Sequence, residues 1–117
     1  MRTWLVATAV AFSAALGSRS GAAQTPAPPP DGEALYRENC RACHGPSGVP
    51  PQRMVAIYKE LAPLDSAFLA LRSEDSVVAV LRDGIGKMKG YKDRLTPEQI
   101  VAIAKYVATL PSRATPP

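Results

Sequence analysis

Residues 40 to 45 read CRACHG and gather the only two cysteines and the only histidine of a 117-residue chain into five consecutive positions. Thiolate and imidazole are the strong side-chain ligands for soft and borderline metals, so this stretch dictates what the rest of the chain is built to hold. A thioredoxin-type dithiol needs Cys-x-x-Cys ahead of a helix in a βαβ setting, and no stretch shows useful strand alternation. Structural zinc takes four ligands, and there is no third cysteine or second histidine to complete them. A plain disulfide leaves His44 without a role. What remains is covalent attachment of haem, for which Cys-x-x-Cys-His is the signature. Thiols at Cys40 and Cys43, three positions apart, reach the vinyl groups of one porphyrin edge as thioethers, and the adjacent His44 presents its imidazole to the iron.

The chain opens with Met1 and Arg2, continues through an apolar run from Leu5 to Leu16, and turns small and polar at GSRSGAAQ. That order is the layout of a secretory signal peptide, with Gly21 and Ala23 spaced for cleavage after residue 23. The apolar run is shorter than the roughly 20 residues of a membrane span. Export places the chain in the periplasm, where free thiols oxidise and bound ones are protected. Loss of residues 1–23 removes Arg2 and Arg19 and leaves 12 basic against 10 acidic residues. So mild a charge, with no Lys/Arg run, gives no sign of a nucleic-acid partner.

Residues 24–31, with prolines at 26, 28, 29 and 30, form a proline-rich linker, and 112–117 reads as a disordered tail. Residues 32–111 are left to fold. About 80 residues make a marginal core, and a bound porphyrin supplies the large apolar body that such a chain lacks.

Helix signals recur along this domain. Asp31 caps GEALYRENC, which brings Leu35, Tyr36 and Cys40 to one face. After the irregular GPSGVPPQ comes a helix-like run over 53–62, stopped at Pro63. Asp65 caps DSAFLALR, and Ser73 caps SEDSVVAVLRDG, with Glu74 and Asp75 in the positive first turn and Gly84 at the exit. Thr96, Pro97 and Gln99 make a capping box for a last helix ending near Leu110. Its stripe of Ile100, Ile103, Ala104 and Val107 predicts a buried face. The expected fold is all-α, with four to five short helices around one haem.

With CRACHG, a first helix before it and a Gly-rich loop before the final helix, residues 32–110 resemble a class I c-type cytochrome of the short bacterial kind. The methionines outside the signal are Met54, in a helix-like apolar stretch where it fills core space, and Met88, in the loop DGIGKMKGYKDR. The family takes its sixth iron ligand from such a loop, so the resemblance implies Met88; the proline often found directly after that methionine is replaced by Lys89. It also implies a proline carbonyl that orients the histidine, a role that Pro50 and Pro51 both suit and Pro51 the better, and a crossing of first and last helices at Gly32, Tyr36 and Tyr106. Propionate contacts fall to residues such as Tyr58, Tyr91, Arg53 or Arg72. A His/Met iron has no open position and a raised potential, so the expected function is single-electron transfer and not enzymatic turnover. The implied partners are protein redox donors and acceptors such as a dehydrogenase or terminal oxidase, with Lys87, Lys89, Lys92 and Arg94 as a basic docking patch.

Overall fold

The computed structural model describes residues 26–114, with side chains through residue 111. The expected signal peptide lies outside the described residues, as do the first two positions of the linker and the end of the tail. Helices α1 (Gly32–Asn39), α2 (Arg41–His44), α3 (Gln52–Ile57), α4 (Ser66–Ala70), α5 (Glu74–Asp83) and α6 (Pro97–Ala114) follow in order. A two-residue antiparallel ladder, β1 (Gly84–Ile85) with β2 (Met88–Lys89), separates α5 from α6.

The predicted caps form. Asp31 Oδ1 accepts the amides of Glu33 and Ala34, Asp65 accepts that of Phe68, and Ser73 that of Ser76. Thr96 and Gln99 exchange reciprocal bonds of 2.9 and 3.3 Å, so two of the orphan donors at the start of α6 are satisfied. Gly84 takes φ 85° at the exit of α5, a backbone conformation that a Cβ opposes.

The core lies along α6, which packs against α1 and α5. Ile100, Ile103, Ala104, Val107 and Leu110 are buried on its inner face, joined by Tyr36, Cys40 and Leu81. Each large apolar side chain so covered stabilises the domain by about 1.5–3 kcal/mol. α1 crosses α6 at Gly32, where a Cβ would collide with the carbonyl oxygen of Ala102, and the Tyr36 and Tyr106 rings meet there with centroids 5.3 Å apart. The crossing implied by the resemblance is therefore present, residue for residue.

Three elements differ from expectation. The run at 53–62 is helical only over Gln52–Ile57, because Tyr58 leaves helical geometry at φ −113°, ψ 88°. Six residues without a side-chain cap or a buried side chain have little to extend them. Met54, expected in the core, is half-buried there. α6 continues past Pro111 to Ala114, so the expected tail begins as helix. Leu110, which the following proline pushes away from helical geometry, is fully buried, and its packing holds the conformation that the proline opposes. The loop holding Met88 is a hairpin turning at Gly86 and Lys87.

Candidate haem-binding site

The attachment residues occupy the junction of α1 and α2. Cys40 closes α1 as its C-cap, its amide donating to the Tyr36 carbonyl at 2.8 Å, and starts α2 by accepting from Cys43 and His44 at 3.2 and 2.9 Å. One helical turn thus sets the two thiols and the imidazole on adjoining positions. Cys40 is buried in the core cluster, while Cys43 and His44 are half-buried; both thiols are free. Burial, followed by the neighbouring Cys43, pushes the Cys40 thiol up to about 11. The turn ends at Gly45, at φ 75°. Tyr36 braces it: its hydroxyl donates to the Gly45 carbonyl at 2.7 Å, and burial holds that hydroxyl protonated well above the usual tyrosine range.

His44 is the residue that tests whether a prosthetic group fits here. Its Nδ1 is buried without a hydrogen-bond partner, and burial lowers its pKa, favouring the neutral imidazole that a metal requires. A buried ring nitrogen left unpaired is costly, and a ring in this state beside two free thiols fits the donor set of a haem c. Pro51, the proline expected to orient the ring, is the N-cap residue of α3. Its carbonyl accepts the amides of Met54 and Val55 at 2.8 and 3.2 Å as the N-cap of α3, and His44 Nδ1 has no bond to it.

Met88 sits in β2 opposite Ile85, half-buried and packed against the core cluster. Ile85 is 63% exposed, whereas Met88 is half-buried and packs on the core. At the hairpin tip the Lys87 ammonium lies 5.9 Å from the Tyr58 ring centroid. Behind it, Tyr91 and Lys92 donate their amides to the carbonyls of Leu81 and Arg82 at 2.9 and 3.2 Å, fastening the chain to the end of α5.

Two residues read from the sequence as propionate contacts are engaged otherwise. Arg72 lies over the Phe68 ring at 3.6 Å and donates to the Phe68 carbonyl. The Tyr91 hydroxyl donates to the Asn39 carbonyl at 2.9 Å, across 52 residues of chain. No local sequence signal points to this last bond, which exists only once the hairpin is folded against α1. Among the described residues, no helix is long and apolar enough to cross a membrane.

Comparison with known proteins agrees with this arrangement. Residues 27–107 match the family described as "Cytochrome C oxidase, cbb3-type, subunit III". Cytochrome c6 of Nostoc sp. is 30% identical over 77 residues, 66% of this chain and 66% of that one. The chloroplastic cytochrome c6 of Chlamydomonas reinhardtii is 32% identical over 78 residues, 65% of this chain and 50% of that protein, and that of Limnospira maxima 32% over 80 residues, 65% and 85%. This chain thus spans only half to two thirds of the length of the first two. The solved c-type cytochrome KustC0563 superposes with a TM-score of 0.62 at 27% identity, over 68% of this chain and 96% of that one. The motif, the helix crossing, the imidazole with its buried Nδ1 and these likenesses converge: the chain belongs to the cytochrome c family, as a small class I c-type cytochrome with one covalently attached haem c.

Proposed function

We propose that this protein is a single-electron carrier of the periplasm, in which Cys40 and Cys43 hold the haem as thioethers and His44 and Met88 ligate its iron. The observation that carries the reading is the placement of both thiols and the unpaired imidazole on one turn, at the end of a helix locked to α6. A bound haem would supply a one-electron iron couple, held by the His44 imidazole and by the Met88 thioether, a neutral soft ligand that would raise its potential. The protein's part is to hold both ligands so that neither water nor substrate takes a coordination position. Residues 1–23 direct export, residues 24–31 tether the domain, and residues 32–111 form it.

Protein matured in a cytochrome-assembling host tests this directly. The expected result is the methionine-to-iron absorption band in the ferric form and a reversible one-electron wave. Loss of the band in Met88→Ala and its retention in Met54→Ala assigns the ligand. A ferric protein without the band that turns over peroxide overturns the carrier reading in favour of an enzyme.

The description of the matched family supports a second reading, in which the domain is the haem subunit of a larger oxidase and passes electrons within it. A stoichiometric partner co-purifying from the native host is the result expected of that reading.

A further inference from the structure

We propose that Tyr91 is the positioning residue for Met88: its hydroxyl pins the hairpin that carries the methionine to the end of the helix that carries Cys40. The inference rests on Met88 being the sixth ligand. A two-stranded hairpin is marginal alone, and this one has only the pairs Gly84 with Lys89 and Ile85 with Met88. Its return strand is fastened to α5 by the amides of Tyr91 and Lys92, which fixes it relative to α5 but not relative to the attachment motif. The Tyr91 hydroxyl makes that second connection, three residues after Met88 and onto the residue directly before Cys40.

The acceptor is suited to it. Asn39 is the last residue of α1, and the amide of Cys43, which would serve its carbonyl in a continuing helix, turns to Cys40 instead. The Asn39 side chain donates back to the Leu35 carbonyl at 2.9 Å and steadies the helix end, while the Arg94 guanidinium covers the Tyr91 ring at 4.7 Å. Tyr91 therefore joins the two chain segments that bear the proposed ligands, and its hydroxyl sets how readily Met88 departs.

The test uses holoprotein and the variant Tyr91→Phe, which keeps the ring and its arginine but loses the hydroxyl. Ferric protein is titrated with imidazole, which competes with Met88, and the methionine band is followed; hydrogen exchange of the amides of residues 88–92 is measured alongside. One net hydrogen bond corresponds to about five- to tenfold in the equilibrium between held and released methionine. Tyr91→Phe is expected to bind imidazole about five- to tenfold more tightly, with faster exchange at Tyr91 and Lys92 and unchanged covalent haem. Equal imidazole affinity in parent and variant, with the band present in both, overturns the pin and leaves Met88 as ligand. A parent without the band overturns the ligand assignment and the pin with it.

Discussion

A tyrosine hydroxyl donates a hydrogen bond only while it keeps its proton, and two such bonds hold this site: Tyr36 to Gly45 and Tyr91 to Asn39. Burial is the largest cause raising both tyrosines above the ordinary value of 10.0, and it persists when Cys40 and Cys43 are thioethers; Arg94 alone opposes it at Tyr91. Because the unfolded chain releases these protons first, the stabilisation is complete below about pH 10 and is lost as pH rises toward the higher folded values. Denaturant midpoints of the holoprotein are expected to fall above pH 10, and the double variant Tyr36→Phe, Tyr91→Phe to fall less steeply. Parallel profiles would contradict this account of the two hydroxyls.

Among the elements, the crossing of α1 and α6 carries the most weight, since it sets Cys40 against the core. Gly32→Ala forces a methyl onto the Ala102 carbonyl, so the helices must separate. The expected cost is about 1–3 kcal/mol in denaturant unfolding of the holoprotein, and a midpoint equal to the parent's would mean that the helices accommodate it. Elements whose ends are written locally were legible in the sequence. Asp31, Asp65, Ser73 and the Thr96 and Gln99 pair each cap the helix they announce, and the stripe from Ile100 to Val107 is the buried face. The clustering of Cys40, Cys43 and His44 was legible for the same reason, because the chemistry is contained in one helical turn. The hairpin was not, since a two-residue ladder has no periodicity to read, and neither was the helical stretch beyond Pro111, where burial of Leu110 overrides a local breaker. That the Pro51 carbonyl also starts α3 was not legible, because only the folded chain shows which amides reach it.

At the scale of the whole molecule, eight side chains are buried among the described residues, and α3 and α4 contribute none of them. A domain with so small a core gains most from an apolar group fixed to its own chain. Its surface is polarised around the Met88 hairpin, where residues 82–94 hold five basic and two acidic side chains. Lys92 lies 3.7 Å from Asp83 and Arg82 2.7 Å from it, which dilutes the patch without cancelling it. If the patch steers an acidic redox partner, bimolecular electron-transfer rates fall as ionic strength rises and the Debye length shrinks below about 10 Å; rates independent of salt would refute steering. The central claim is that one porphyrin is bonded through Cys40 and Cys43. It is tested most directly by denaturing protein exported from a cytochrome-assembling host, extracting it with acidified organic solvent, and recording the haemochrome spectrum of both phases. The account predicts that the haem stays with the polypeptide at one per chain and passes to the solvent in the double variant Cys40→Ala, Cys43→Ala; a colourless parent polypeptide would contradict it.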